Sequence, residues 1–299
     1  EASASLRFDL TVPLARFVAA NPEIPKPFKR YQIGQVWRGE SPQAGRYREF
    51  LQADVDIVGS SSLGADAEIV TLIYTIFVNL GIKNFLIKIN SRKLLNDLPA
   101  FAGFPEKKLW EALRVIDKKD KLGEAAVRKE LSKIVKKKPA DKIMDEFLKA
   151  GIPSSEGMKE LNALLQLVDA MGVEKDKRIL DFSVVRGLDY YTGPVFEAVL
   201  TRPPQRGSVA GGGRYDQLTI PFTGEKIPAV GVSFGVDRLL AALEELGLLK
   251  KKQTVTKALI LNLLPETKKE YLDLAKTLRS ANINTAIYLG DDRAFQAQL

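Results

Sequence analysis

Apolar positions recur at two different periods along this 299-residue chain, and the changes of period divide it into segments. Across residues 1–91, short strand-like runs alternate with helices. Residues 31–38 and 49–58 predict two strands joined by a loop rich in Ser, Pro and Gly. Residues 66–80 predict a mostly buried helix that begins near Asp66 and stops at Gly81, and residues 85–90 predict another strand. From residue 92 to 172 the period is helical. Leu109, Leu113 and Ile116, then Leu131, Ile134 and Val135, recur between charged residues, with Pro105, Pro139 and Pro153 as punctuation. This stretch predicts a helical insertion that forms a subdomain of its own. Strand patterns return at 179–185 and 195–200. A glycine-rich turn is expected at Gly211, Gly212 and Gly213, followed by a strand-to-helix passage over 230–246. Lys250, Lys251, Lys252 and Gln253 form a polar linker. Beyond it, 258–264 predicts a strand, 268–281 an amphipathic helix and 285–289 a strand, which is the start of a separate α/β domain. Glu1 leads into structured pattern within six residues, and the last unit stops at Leu299 without a closing element. Both ends therefore read as cuts through a longer protein.

Composition narrows the chemistry. The apolar share of 45% and charged share of 27% are those of a globular protein with an ample core. The longest apolar candidate, residues 69–80, is broken by Thr71, Thr75 and Asn79, so no membrane span is expected, nor is a secretory signal. Absence of cysteine excludes disulfides, thiolate catalysis and cysteine-ligated zinc, and suits a reducing cytoplasm or an organelle matrix. Absence of histidine excludes Ser-His-Asp and Cys-His sites and any histidine general base. Catalysis would have to rest on arginines, carboxylates, tyrosines and metal-bound phosphates. The net charge of +8 is uneven: residues 92–150 hold 16 Lys and Arg against 10 Asp and Glu. A polyanionic partner fits that block, since neutralising phosphates releases counterions; a solvated set of lysine-rich helices fits it slightly better on charge alone.

Four segments carry candidate chemistry. In 6–13, Asp9 and Thr11 lie two apart and would share one side of a strand, offering a carboxylate and a hydroxyl to an ammonium group. The same pair also starts helices. In 28–59, Arg38 and Glu40 end one predicted strand and Gly45-Arg46-Tyr47-Arg48-Glu49-Phe50 opens the next. Gln52, Asp54 and Asp56 then share a face, and Asp54 reads as sheet-surface solvation. In 184–193, Arg186 precedes Asp189, Tyr190 and Tyr191, residues able to clamp an anion and hydrogen-bond a small polar ring. In 208–240, Gly211-Gly212-Gly213-Arg214-Tyr215-Asp216 brings backbone close to a ligand or strand but matches neither GxGxxG nor the Walker pattern. Gly231-Val232-Ser233-Phe234-Gly235-Val236-Asp237-Arg238 follows.

These segments, in this order, resemble the histidyl-tRNA synthetase family. Val36-Trp37-Arg38-Gly39-Glu40 with Gly45 to Phe50 resembles motif 2 of the class II synthetases. Arg186-Gly187-Leu188-Asp189-Tyr190-Tyr191 and Gly211 to Asp216 resemble the two histidine-specific motifs, and 229–240 resembles motif 3. The resemblance implies an α+β fold: a mainly antiparallel class II sheet with flanking helices, a helical insertion and a C-terminal α/β anticodon-binding domain. The catalytic domain would then comprise 1–91 and 173–249, the insertion 92–172, and a partial anticodon-binding domain 255–299. Motif 1 would precede residue 1.

By the same resemblance, ATP adenylates L-histidine and the histidyl group passes to tRNA(His), with Mg²⁺ on the β- and γ-phosphates and no metal site built from protein groups. Arg38, Arg186 and Arg238 would be catalytic. Arg38, Glu40, Arg46, Phe50 and Arg238 would hold ATP, Arg46 and Arg48 being also placed to meet the tRNA acceptor end. Asp9, Thr11, Gln52, Asp56, Tyr190 and Tyr191 would hold histidine, Asp56 and Tyr191 on its two ring nitrogens. The insertion would clamp the acceptor stem, and a cytoplasmic homodimer is expected. Two other readings stand beside this one. One is a histidine-sensing regulatory paralogue of ATP phosphoribosyltransferase, expected to lose the adenylation arginines. The other is a tRNA-binding pseudo-synthetase module, expected to have a broken ATP site.

Overall fold

Alternation along the strands gives one sheet an apolar face and a polar face. A computed structural model of the chain describes residues 4–39, 41, 47–186, 190–202, 207–249, 254–292 and 294–298. Glu40, Arg46, Gly187 to Asp189 and the linker residues Lys250 to Gln253 lie outside them. The chain divides into two compact units, Glu1–Leu248 and Leu249–Leu299.

In the first unit, α1 (Thr11–Ala20) precedes a hairpin of β1 (Phe28–Trp37) and β2 (Glu49–Val58). Helix α2 (Leu63–Asn79) and strand β3 (Phe85–Ser91) follow. The inserted helices are α3 (Arg92–Asn96), α4 (Leu98–Ala102), α5 (Leu109–Ile116), α6 (Lys119–Leu122), α7 (Glu124–Val135), α8 (Lys137–Lys142), α9 (Leu148–Ala150) and α10 (Glu156–Ala170). The chain then returns through β4 (Arg178–Leu180), β5 (Pro194–Leu200), β6 (Ser208–Arg214), α11 (Ile220–Thr223), β7 (Ala229–Gly235) and α12 (Val236–Glu245). The strands form one seven-stranded sheet in the order β1-β2-β7-β6-β5-β3-β4. All neighbours are antiparallel except β3 and β4. The inserted helices belong to the same compact unit as this sheet, so the expected separate subdomain is packed onto it.

Register decides which residues meet across the sheet. Phe85, Ile87 and Ile89 of β3 lie opposite Leu200, Ala198 and Phe196 of β5, and Phe234, Val232 and Val230 of β7 lie opposite Ala53, Val55 and Ile57 of β2. This apolar face is covered by α2, whose Ile69, Val70, Ile73 and Phe77 are buried. The Phe77 ring sits 5.0 Å from Phe85 and 6.2 Å from Phe234, edge-on to both. Ser62 caps α2 by accepting from the Gly64 N–H at 3.1 Å, and Gly81 ends the turn after it at φ 75°.

Three sequence expectations change. Gly211, Gly212 and Gly213 are not a turn but the middle of β6, paired on both sides. A Cβ on Gly212 would lie 2.0 Å from the Gly231 carbonyl oxygen, so close strand approach explains the glycine. The run at 179–185 is a strand only over β4. Asn90 Nδ2 donates to the carbonyls of Phe182 and Val184, which leave the ladder, while the apolar side chains stay buried. Asp9 and Thr11 do not share a strand: Thr11 begins α1, and Asp9 Oδ1 accepts from the Val12 N–H at 3.1 Å, with Pro13 in the first turn.

In the second unit β8 (Ala258–Ile260) and β9 (Thr285–Ile287) pair in parallel, with α13 (Lys268–Ser280) between them in sequence. Both strands are shorter than their apolar runs. Among the described residues, no helix is long and apolar enough to cross a membrane.

Phe77 packs against two strands from the last turn of α2, so Phe77→Ala should lower unfolding stability by about 3–5 kcal/mol in urea titration. A loss under about 1 kcal/mol would mean that the helix is held to the sheet elsewhere.

Candidate active site

The polar face of the sheet is a set of cross-strand rows. One row runs Lys88, Glu197, Gly211, Ser233, Asp54, Gln32, each residue in register with the next. Another places Arg30, Asp56, Gly231 and Gly213 in line. Residues on such a row face the same side and interact directly. The result is a strip of carboxylates, amides and hydroxyls floored by glycines.

A cavity of about 220 Å³ opens on this strip. It is lined among others by Arg38, Phe50, Gln52, Arg186, Tyr190, Tyr191, Ser233 and Arg238. Three arginines thus reach it from three elements. Arg38 follows β1, where its Nη2 donates to Gln52 Oε1 at 3.0 Å and its Nε to the Phe8 carbonyl at 3.2 Å. The rings of Phe8 and Phe50 flank its guanidinium at 4.6 and 5.0 Å. Arg186 leaves the loop after β4 and pairs with Glu197 on β5, Nε to Oε2 3.1 Å. Arg238 stands in the first turn of α12 and donates to the Ser208 carbonyl. Its neighbour Asp237 accepts from the Leu51 N–H at 2.6 Å, which ties α12 to β2.

Gln52 is oriented from both sides. Its carbonyl takes Arg38, and its amide donates to Asp54 Oδ1 at 2.8 Å and Ser233 Oγ at 3.2 Å. Asp54 is therefore not a solvated surface residue. It is 1% exposed, and burial raises its carboxyl above the ordinary value against the pull of Ser233, Gln52 and Arg30. Its face of β2 looks into the cleft, which the alternation alone does not reveal.

Asp56 sits deeper and does not line the cavity. Tyr215 donates to its Oδ1, and Arg30 Nη2 lies 2.9 Å from its Oδ2. Gly231 is required opposite it, since a Cβ there would stand 2.0 Å from Asp56 Oδ1. Tyr190 and Tyr191 stack obliquely with ring centres 4.4 Å apart and hydroxyls 3.3 Å apart. Tyr191 feels the Asp56 charge, and burial holds its hydroxyl well above the ordinary value. Asp9 acts electrostatically on Asp54, Asp56 and Tyr190, whereas Thr11 is buried at the head of α1. Neither lines the cavity. Glu40 and Arg46 lie outside the described residues.

Arg30, Tyr215, Ser233 and Glu197 were not singled out from sequence. The available signal was slight: a lone charge in the apolar run Val195-Phe196-Glu197-Ala198-Val199, and an Arg alternating with polar residues on β1. Among the described residues no group of three or more acidic side chains is arranged to hold a metal ion.

The family model described as histidyl-tRNA synthetase matches residues 2–239. The chain belongs to the histidyl-tRNA synthetase family. The histidine–tRNA ligase of Wolinella succinogenes is 43% identical over 95% of this chain and 69% of its own length. That of Aeropyrum pernix is 44% identical over 95% of this chain and 68% of its own. The crystal structure of histidyl-tRNA synthetase from Nostoc sp. PCC 7120 superposes with a TM-score of 0.81 at 33% identity, covering 98% of this chain and 72% of that one. The family's mainly antiparallel sheet with flanking helices is thus the fold observed.

Burial pushes the Asp56 carboxyl from 3.8 up to about 7, against Arg30 and the Tyr215 hydroxyl. The folded state therefore keeps a proton that the unfolded chain releases. The stability this group contributes is complete below about pH 4 and is lost as pH rises through about 7. Asp56→Asn should flatten the fall of the urea midpoint across that window, leaving the smaller part due to Asp66, which burial raises to about 6. An unchanged slope in the variant would assign the pH dependence elsewhere.

Proposed function

We propose that this chain is an ATP-dependent histidine–tRNA ligase, which activates L-histidine as histidyl-adenylate and transfers it to tRNA(His). The convergence of Arg38, Arg186 and Arg238 on one cavity beside a tyrosine pair carries this reading. ATP is a polyanion, and a cleft with fixed guanidinium groups suits the charge that develops as its α-phosphate is attacked. In the first step a histidine carboxylate oxygen bonds to the α-phosphorus as the bond to pyrophosphate breaks. In the second, a hydroxyl of the tRNA's terminal ribose attacks the adenylate carbonyl and AMP leaves. Neither step needs a histidine base from the protein.

In this reading Arg38 and Arg186 hold the α-phosphate from opposite sides, and Arg238 holds the γ-phosphate. Phe50, stacked on Arg38, borders the nucleotide, with Glu40 and Arg46 as further ATP contacts. Mg²⁺ would come with the nucleotide and offset part of the polyphosphate charge. Gln52, held by Arg38 and Asp54, faces the amino acid, with Asp9 and Thr11 at the ammonium end. Tyr190 and Tyr191 form the wall for the imidazole, with Asp56 behind Tyr191. A site built to hydrogen-bond a polar ring leaves groups unpaired when an analogue lacks them, which separates substrates by roughly 10⁴-fold or more.

The lysine-rich insertion suits the acceptor stem. Arg128 is committed to Asp141 and Asp145, but Lys136, Lys137 and Lys138 are exposed where α7 meets α8. The second unit would begin an anticodon-binding domain. A cytoplasmic homodimer completes the reading. The regulatory alternative is less supported, because it expects the adenylation arginines to be lost.

Exchange of pyrophosphate into ATP, tested with each of the twenty amino acids, should proceed with histidine alone. Arg38→Ala, Arg186→Ala and Arg238→Ala should each lower its kcat by roughly 10²- to 10³-fold. Histidine binding without exchange would replace the ligase reading with the regulatory one.

A further inference from the structure

Arg186 lies in the connection between β4 and β5, and a long side chain leaving such a segment has no fixed direction of its own. Two features of the neighbouring strands supply one. The first is a floor. A Cβ built on Gly211 would lie 2.5 Å from Arg186 Nη1, 2.6 Å from Cζ and 2.9 Å from Nε, so the guanidinium lies against bare backbone of β6. The second is a carboxylate beside that floor. Glu197 on β5 is the register partner of Gly211, and its Oε2 is 3.1 Å from Arg186 Nε. Glu197 does not itself line the cavity, whereas Arg186 does.

The neighbouring strand anchors the segment that carries Arg186. Lys88, in register with Glu197 on β3, is 2.9 Å from Asp181 Oδ2 and 2.8 Å from Asp120 Oδ2. Asp181 begins the segment that leads to Arg186, and its Oδ1 accepts from the N–H and the hydroxyl of Ser183. Asp117, at the end of α5, acts electrostatically on both Arg186 and Glu197. Arg186 therefore meets the carboxylate of Glu197 on the sheet, with Asp117 adding a further negative charge nearby.

We propose that Glu197 is a positioning residue for the adenylation step, fixing the Arg186 guanidinium flat on Gly211 so that it faces the α-phosphate of ATP. This deepens the ligase reading and rests on it. The pair is half-buried, with side chains 35% and 22% exposed, so neutralising Glu197 leaves no charge sealed in the core. Loss of orientation by an ångström costs up to roughly 100-fold in rate.

The test is a double-mutant cycle on histidine-dependent pyrophosphate exchange. Glu197→Gln should lower kcat by roughly 10- to 100-fold, with KM for histidine and Tm close to wild type, and Glu197→Asp should restore part of the rate. In an Arg186→Ala background Glu197→Gln should cost nothing further, because its effect passes through Arg186. Wild-type kcat in Glu197→Gln, or an equal loss in both backgrounds, would overturn the proposal. So would a loss that tracks a fall in Tm. The Arg186 Nε–H resonance, identified by its disappearance in Arg186→Ala, gives a readout independent of turnover. It should shift in Glu197→Gln, because the carboxylate charge 3.1 Å from Nε is removed, and an unchanged resonance would also overturn the proposal. If the wild type shows no exchange with histidine, the ligase reading fails, while the resonance still decides whether Glu197 holds Arg186.

Discussion

Two charged groups on the cleft face of this sheet, the Arg186 guanidinium and the Asp56 carboxyl, lie directly against strand backbone, while the other face is filled by helix α2. Glycine makes that possible. At Gly211 the missing side chain is replaced by the Arg186 guanidinium, and at Gly231 by the Asp56 carboxylate. Two adjacent strands thus lend their backbones as the floor of a charged site. A methyl group at either place would collide with the group that the site holds.

Carboxylates outnumber guanidinium groups at the deep end of the cleft. Asp54 and Asp56 share Arg30, with Asp9 adding to their mutual repulsion. Burial and like charge raise their protonation values, and hydrogen bonds from Gln52, Ser233 and Tyr215 offset part of that. The shallow end is cationic, with Arg38, Arg186 and Arg238 around the cavity. A zwitterion carrying a polar ring and a polyphosphate would each find the complementary end. Fixed dipoles and charges of this kind need no rearrangement when a reaction moves charge between them.

Arg214 does related work behind the sheet. It meets Asp66 of α2, which is wholly buried, and donates to the carbonyls of Ser60 and Ser62. Its own carbonyl accepts from the Thr192 N–H at 2.8 Å. One buried ion pair therefore joins the head of α2, strand β6 and the end of the segment bearing Tyr190 and Tyr191. The tyrosine wall and the helix that covers the apolar face are held by the same residue. Such a pair costs desolvation and contributes definition of geometry, since either partner alone would be an uncompensated buried charge.

Periodicity determined helices α2, α5, α7, α12 and α13, the β1–β2 hairpin and the parallel βαβ start in the second unit, because burying one face of an element is a local demand that the sequence must meet in its own spacing. Motif order was likewise legible, and with it the family. Sequence could not show that the three glycines form a central strand, since the reason lies in the Gly231 carbonyl and the Arg186 guanidinium, which approach from distant parts of the chain. It misplaced Asp54 for the same reason: alternation says that two faces exist, not which one looks into a cleft. Asp9 and Thr11 took the helix start that their spacing also allowed, because a backbone N–H at 3.1 Å was the nearer partner. The residue types of the site were thus written locally, whereas their neighbours, their burial and hence their charge were set only when strands far apart in sequence came into register.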